Sequence, residues 1–538
     1  MNNDLEQPRY NTEDISRYAE IVLGLVYAAG TDIEPVIDTL RDYVQHYGYK
    51  ANEVRVSDYI KENLSSGADK CVDGTEIERI ENLIRRGDEI CAQSGKADFL
   101  ALAAIAKIAE LRPKDSDNNP LPWPKTVHIV RSLKRPEEVV TLRQVYRPGF
   151  FLIGVFATEE ERLNFLVDRK AADSKRAKVL IETDAKEEGV SYGQHTRDTF
   201  HRSDVFIQLK GDAYKDELHR FLDLVFGQPH FTPTPDEYAM FLAAAAGARS
   251  AQFGRQVGAA IVNREGDLVA VGCNDVPRAG GGLYWFGDKN PEPCRDHERE
   301  EQVDSNDEEK KTIEEDILEN VQRSVREALE QASAMVNPDQ VTIIRDCLNK
   351  ALPRNGSLLK GTRLSDITEF GRAVHAEMDA LTSCERTGAS VRGGSLYTST
   401  FPCHNCTRHI IAAGITRVVY IEPYPKSRAV NLHGDAIRLA NSGDMFDPKS
   451  HNKDEWKIPF VPFVGIGPRR FFDLFSMELS SGYVMERKAN GRAIAWERSK
   501  NRGPRVPMIP ASYLDREEGA VRVVSAAVME RGGTNGIT

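Results

Sequence analysis

Two short motifs in the second half of the chain carry side chains that can ligate a metal ion. His375 and Glu377 lie in the stretch GRAVHAEMDALTSC, and Cys403 and Cys406 lie in PCHNC, with the first cysteine 28 positions after the histidine. Zn²⁺ accepts neutral imidazole and thiolate ligands, and a catalytic zinc site keeps one of four positions for water. One histidine and two cysteines therefore predict a three-ligand site with an open position.

Glu377 adds a carboxylate that is separate from the three predicted ligands. At the start of a helix it can reach a water on the metal and pass its proton onward. Metal binding lowers the pKa of water from ~15.7 towards ~7, so hydroxide is available at neutral pH. A structural zinc site is the alternative, but it would want a fourth protein ligand, and His404 and His409 stand off the pattern.

H-x-E followed by P-C-x-x-C is the signature of zinc-dependent nucleobase deaminases. Residues ~236–475 resemble the deoxycytidylate deaminase branch of the cytidine deaminase superfamily. The resemblance implies a three-layer α/β/α domain with a mixed sheet. The segments that carry it are Arg255–Asn263, Val271–Gly282, His375–Glu377, Pro402–Cys406 and Tyr420–Ser427.

The same resemblance implies two substrate-binding residues. Asn274 corresponds to the family's pocket asparagine, and Tyr424 corresponds to a tyrosine near the pyrimidine or ribose. Arg278 and Lys426 are predicted to meet the substrate phosphates, because each closes a segment that lines the site. A solvated surface charge is the alternative reading for both.

The elements that must position these residues are readable from the pattern. A hairpin is predicted from strand Val257–Val262 and strand Leu268–Gly272, and a third strand, Ser395–Ser399, leads to Pro402 and the cysteines. An Ala-rich helix, Asp236–Phe253, precedes the hairpin. We therefore expect the predicted ligands at the ends of regular elements.

The first half alternates strands and helices, which predicts an α/β domain with a mainly parallel sheet. The predicted strands are Ile21–Val26, Val127–Arg131, Phe150–Phe156 and Val205–Leu209. Three prolines in QPHFTPTP mark a connector. The expected organisation is a polar segment 1–19, an α/β domain 20–228, a linker 229–235, a deaminase domain 236–490 with a charged insertion 286–330, and a tail 491–538.

The turn after the first strand, GLVYAAGTD, is rich in small residues and precedes a helix. Backbone N–H groups at such a turn commonly hold phosphate oxygens, so the candidate nucleotide-binding residues are Gly24, Gly30, Thr31 and Asp32. The Lys of a P-loop is missing, and a plain βα turn is the alternative. Two further segments, Arg131–Tyr146 and Gly149–Leu166, extend the resemblance. Nearly the whole chain then resembles bacterial antiphage dCTP/dCMP deaminases with an N-terminal P-loop-kinase-like domain, which implies a regulatory nucleotide.

The composition of the chain argues against several other classes of protein. The chain has 538 residues, a formal charge of −11 and eight cysteines. An acidic chain is a poor default binder of nucleic acid, and so few cysteines do not make a disulfide scaffold. The polar, acidic start is unlike a secretory leader, and the longest apolar run is about half a membrane span, so a cytoplasmic protein is expected.

These observations predict a zinc-dependent hydrolase that converts dCTP, dCMP or both to deoxyuridine nucleotides. The resemblance implies a role in defence against phage through depletion of dCTP. Deamination of a base within RNA or single-stranded DNA uses the same zinc motif and is one alternative. A nucleotide- or RNA-responsive switch without turnover is the other. By resemblance alone, a homo-oligomer is expected, and an inhibitory small RNA is a candidate partner.

Overall fold

The computed structural model describes most of the chain in two compact units. One unit comprises residues 1–241 and 462–538, and the other comprises 242–461. The residues described are 19–62, 76–170, 173–185, 195–288, 295–300, 302–332, 342–343, 362, 364, 367, 369–424, 427–500, 503–508 and 510–533. None of the helices in these ranges has the length and apolar character needed to cross a bilayer.

The first unit is built on a mainly parallel sheet. Its strand order is β2-β3-β1-β4-β5-β12, in which the first five strands are parallel and β12 is antiparallel to β5. The central strands are buried on both faces, as their continuous apolar sequences require. The strands are β1 (Ile21–Tyr27), β2 (Lys50–Arg55), β3 (Thr126–Arg131), β4 (Phe150–Phe156), β5 (Val205–Gln208) and β12 (Gly465–Ile466).

Helices connect these strands and form hydrophobic cores with them. The predicted alternation of strand and helix is confirmed, while β2, α2, α7 and α8 are among the elements that the pattern did not predict. The helices are α1 (Glu34–Val44), α2 (Val56–Glu62), α3 (Glu76–Ser94), α4 (Phe99–Glu110), α5 (Pro136–Tyr146), α6 (Glu159–Asn164), α7 (Ser174–Ala185), α8 (Thr196–Phe200), α9 (Ala213–Val225), α15 (Phe471–Phe475) and α16 (Pro510–Gly533). Helix α10 (Pro235–Gly247) contains the point at which the two units divide.

The C-terminal part of the chain belongs to the first unit. Residues 462–490, expected in the deaminase domain, and the tail that follows contribute β12, α15 and α16 to this unit. Val506 joins one core of the sheet, and Met508, Tyr513 and Leu514 join the other. The segment is therefore bound by burial of its apolar side chains. A short hairpin, β13 (Lys488–Ala489) and β14 (Arg492–Ala493), lies within it.

Helix α16 is also bound by a buried ion pair. Arg112 lies 2.5 Å from Glu517 and 2.7 Å from Glu20, and all three side chains are almost completely buried. Glu517→Ala should lower the free energy of unfolding of this unit by about 3 kcal/mol, since it leaves a buried guanidinium with one partner fewer. Denaturant unfolding of the full chain measures this.

The matched control for that variant is Glu518→Ala, one residue further along the same helix. Glu518 is exposed and pairs with Arg522 at 2.6 Å, a surface contact worth less than about 0.5 kcal/mol. Equal losses in the two variants would contradict a special role for the buried pair.

The second unit contains a mixed sheet, so the predicted mixed α/β class is confirmed. The hairpin strands β6 and β7 are antiparallel, β6 and β8 are antiparallel, and β8 and β9 are parallel. The strand order is β7-β6-β8-β9-β11-β10. The strands are β6 (Gly258–Val262), β7 (Leu268–Cys273), β8 (Ser395–Thr400), β9 (Arg417–Glu422), β10 (Ile437–Leu439) and β11 (Ile458–Pro462).

Two helices of this unit carry the predicted ligands. They are α12 (Ala376–Thr387) and α13 (His404–Ala413), and each ends at a glycine, Gly388 or Gly414, whose positive φ closes the helix. Gly272 in β7 allows α12 to approach closely, because a Cβ there would lie 2.3 Å from the carbonyl oxygen of Ala376. The remaining helices are α11 (Ser305–Ala332), within the charged insertion and beyond it, and α14 (Ala429–His433).

Candidate metal centre

The N-termini of α12 and α13 meet at the predicted metal ligands. His375 is the N-cap residue of α12, and Cys403 is the N-cap residue of α13. The Cys403 sulfur accepts a hydrogen bond from the backbone N–H of Cys406 at 3.4 Å. Helix N-termini favour anions, so both cysteines lie where the helix dipole stabilises a thiolate.

The distances among the three side chains fit a zinc ion. Nδ1 of His375 lies 3.3 Å from the sulfur of Cys403 and 3.3 Å from that of Cys406, and the three ligand atoms lie within 4.8 Å of one another. Tetrahedral zinc with bonds of ~2.3 Å to sulfur and ~2.0 Å to nitrogen would hold N and S about 3.5 Å apart. The donor set and its spacing therefore suit zinc.

Glu377 lies beside this cluster and is not one of its three ligand atoms. The residue is 3% exposed, and its Oε2 lies 3.6 Å from the Cys406 sulfur. Burial raises the pKa of its carboxyl group. A buried carboxylate next to an open metal position can exchange protons with a molecule bound there.

The two cysteines differ in acidity because they share hydrogen bonds. Among the protein groups alone, hydrogen bonding to Cys406 lowers the pKa of Cys403 to about 4, and the same contact raises the pKa of Cys406 above its usual range. Hydrogen bonding to Cys403 raises the pKa of His375 to about 9.

Asn274 follows β7 and uses its side chain to fasten a neighbouring loop. Its Oδ1 accepts from the N–H of Val257 at 2.7 Å, and its Nδ2 donates to the carbonyl of Arg255 at 2.8 Å. The backbone carbonyl of the next residue, Asp275, accepts from the N–H of Val374, which precedes His375. Asn274 is thus near the cluster in the chain's fold, and its role towards substrate stays a prediction.

The other predicted substrate residues have different surroundings. Tyr424 packs against the core of the second unit, and Ser427 next to it donates to the carbonyl of Pro402, beside Cys403. Arg278 donates to the carbonyl of Gly281 and so braces its own turn. Lys426 lies outside the described residues.

Two buried aspartates position the site and were not predicted. Asp275 is fully buried and pairs with Arg295 of the insertion at 3.2 Å. Asp379 of α12 accepts from the N–H of Cys273 at 3.2 Å and so ties the helix to the end of β7. Neither aspartate belongs to a motif whose spacing indicates a role. The only sequence signal, a weak one, is that each is a polar residue among apolar neighbours.

The candidate nucleotide-binding residues lie in the first unit. Gly24 is inside β1, where a Cβ would lie 2.8 Å from Leu133 and Phe150, so its small size serves packing. Gly30, Thr31 and Asp32 follow the strand and line a cavity. Gly30 has a φ of +84°, a conformation that favours glycine.

The metal cluster lies within a stretch of the chain that matches a known protein family. Residues 233–422 match the family described as the cytidine and deoxycytidylate deaminase zinc-binding region. ComE operon protein 2 of Bacillus subtilis is 36% identical over 89 residues, covering 15% of this chain and 47% of that protein. Deoxycytidylate deaminase of Enterobacteria phage T4 is 36% identical over 87 residues, covering 16% and 43%. The chain thus spans less than half the length of these curated relatives.

Solved structures with some likeness include dCMP deaminase from the cyanophage S-TIM5. It is 14% identical and covers 43% of this chain and 100% of that one, with a TM-score of 0.21. A gluconokinase from Sinorhizobium meliloti is 15% identical and covers 40% of this chain and 99% of that one, also with a TM-score of 0.21. Likenesses of this size establish neither fold nor function.

Proposed function

We propose that the second unit catalyses the hydrolytic deamination of deoxycytidine nucleotides, dCMP and dCTP, to deoxyuridine nucleotides and ammonia. The observation that carries the proposal is the meeting of His375, Cys403 and Cys406 with the buried carboxylate of Glu377. The match of residues 233–422 to a deaminase zinc-binding region supports it.

In this reaction the C4–N bond of cytosine breaks and a C4–O bond forms with an oxygen from water. His375, Cys403 and Cys406 would hold the zinc, which when bound supplies a Lewis acid that lowers the pKa of water. Glu377 takes one proton from the water and passes it to the ring nitrogen. It then takes the second proton, from the hydroxyl group now on C4, and delivers it to the amino group, which leaves as ammonia while C4 becomes a carbonyl. A pure binding site would not need such a carboxylate.

A free nucleotide is the substrate that the rest of the chain favours. The net charge of −11 disfavours binding to a nucleic acid backbone. The relatives from phage T4 and from Mycobacterium phage D29 both carry the name deoxycytidylate deaminase, the latter at 48% identity over 48 residues, 9% of this chain and 36% of that protein. We therefore place the substrate among nucleotides.

A product assay across dCMP, dCTP, CMP, CTP and a cytosine-containing DNA oligonucleotide tests this proposal. We expect ammonia and uracil product from the deoxynucleotides at rates at least tenfold above those from the other substrates, in protein carrying one zinc per chain. Product from the oligonucleotide alone would replace the proposal with deamination of nucleic acid. Nucleotide binding without product at full zinc loading would replace it with a switch.

The wider role that we propose is depletion of dCTP during phage infection, with the first unit regulating the second. It is supported by resemblance to antiphage deaminases. Infected cells should lose dCTP when they carry the wild type and keep it when they carry Glu377→Ala. The homo-oligomer, the small RNA partner and the cytoplasmic location stay predictions.

A further inference from the structure

The first unit contains a cavity of about 690 Å³ at the carboxyl ends of β1, β2 and β3. Tyr27, Arg55 and Arg131, which end these strands, are part of its lining. Ligands of open parallel sheets bind outside the carboxyl ends of the strands. Eight lining side chains are cationic and four are acidic, and the cations Arg55, Arg131 and Arg135 pair in addition with Glu53 or Asp88 outside the lining.

At one corner of this cavity, the carboxylate of Asp184 accepts hydrogen bonds from two donors. Oδ2 of Asp184 accepts from the backbone N–H of Ala29 at 2.7 Å, and Oδ1 accepts from Nζ of Lys134 at 2.7 Å. The side chain of Asp184 is 1% exposed. A loop N–H after the first strand and a lysine ammonium are donors that commonly bind phosphate oxygens.

Further groups lie near this corner. Arg162 donates to the carbonyl of Ala29 at 3.3 Å, and its charge interacts with the charges of both Asp184 and Glu159. In addition, Oγ1 of Thr31 has no hydrogen-bond partner among the described residues, although Thr31 is 6% exposed and lines the same cavity.

A structural ion pair is the simpler reading of Asp184 and Lys134. It accounts for the contact between the two side chains. It does not account for the backbone N–H of Ala29 being directed at the same carboxylate, or for the unpartnered hydroxyl of Thr31 in a cavity that has room for a ligand.

We propose that this cavity binds a phosphate-bearing ligand and that Asp184 occupies the phosphate position until the ligand displaces it. A phosphate and a carboxylate cannot share these donors, because like charges at contact repel. Ligand entry therefore frees the C-terminal end of α7 from the loop after β1. This inference does not depend on the proposed deaminase activity of the second unit.

Pyrophosphate binding by calorimetry tests the proposal with the full chain. Asp184→Ala leaves the N–H of Ala29 without its acceptor and leaves Lys134 with only the carbonyl of Tyr27, so we expect pyrophosphate to bind at least tenfold more tightly than to the wild type. Glu182→Ala, an exposed change on the same helix, is the control and should match the wild type. Wild-type affinity in Asp184→Ala overturns the proposal.

Two further measurements keep the test decisive if Asp184→Ala folds poorly. Asp184→Asn removes the charge but keeps an acceptor for Ala29, and it should also bind pyrophosphate more tightly than the wild type, with an unchanged affinity contradicting the proposal. In the wild type, saturating pyrophosphate should increase hydrogen exchange across 174–185, and unchanged exchange there contradicts displacement.

ATP as a second probe distinguishes a nucleotide ligand from a ligand that is recognised by its phosphate groups alone. A gain in Asp184→Ala that is larger for ATP than for pyrophosphate assigns the site to a nucleotide. An equal gain assigns it to the phosphate groups alone. Either gain supports the shared chemistry, and a gain for neither probe overturns it.

Discussion

Glu377→Gln is expected to lower kcat for ammonia release from dCMP or dCTP by about 10³-fold while zinc stays bound. Proton transfer by a positioned side chain contributes roughly 10²–10⁴-fold to rate, and a neutral amide of nearly the same shape cannot accept the proton. Glu377 is buried beside the cluster but supplies none of its three ligand atoms. Activity should therefore fall without loss of the metal.

The measurement is steady-state deamination with zinc quantified on the same sample. Glu385→Gln is the matched control, because Glu385 lies two turns further along α12 and is exposed, and it should keep wild-type kcat and zinc. Near wild-type turnover in Glu377→Gln at full zinc loading would exclude this residue as the proton carrier. Loss of zinc in that variant would instead make Glu377 part of the metal site.

The cluster could be predicted from sequence because each ligand lies at a helix terminus that the neighbouring residues mark. His375 and Cys403 are N-cap residues, and Pro402 and the glycines Gly388 and Gly414 mark where the helices begin or end. Fixing two helix N-termini at the edge of one sheet brings their first turns together. The hairpin of β6 and β7, which supports α12, was predicted from the same kind of turn pattern and is confirmed.

Elements without an apolar pattern could not be predicted. Strand β2 has the sequence KANEVR and lies at the sheet edge, where exposed positions carry polar residues. Helix α7, which carries Asp184, reads SKRAKVLIETDA and shows no clear amphipathic face. Helix α16 lies more than 400 residues along the chain from Arg112, and sequence spacing gives no sign of a pair so distant.

The roles of side chains that hydrogen-bond to backbone groups of distant segments could not be predicted from the sequence either. The amide of Asn274 binds the N–H of Val257 and the carbonyl of Arg255, an arrangement that depends on how β7 ends beside the following loop. The hydrogen bonds of Asp184 are made with the loop after β1 and with Lys134, which follows β3. Such contacts join elements that are far apart in sequence, so tertiary structure is needed to find them.

Cys403→Ala should abolish zinc binding, and with it deamination, whereas Cys384→Ala should keep both. Each variant removes one buried thiol from the same hydrophobic core, so the cost of the missing atom is similar in the two. They differ in that Cys403 lies 3.3 Å from Nδ1 of His375, while Cys384 lies near the end of α12, outside the cluster. A difference in zinc content between the two variants would therefore show that Cys403 ligates the metal, because the loss of packing is similar in both.

Zinc per chain and thermal unfolding, measured with and without a chelator, check this prediction. The wild type and Cys384→Ala should each carry one zinc and lose thermal stability when the metal is removed, since binding free energy contributes to folding. Cys403→Ala should carry less than a tenth of that zinc, and the chelator should leave its melting temperature unchanged. Full zinc in Cys403→Ala, or equal loss in both variants, would show that this sulfur does not ligate the metal.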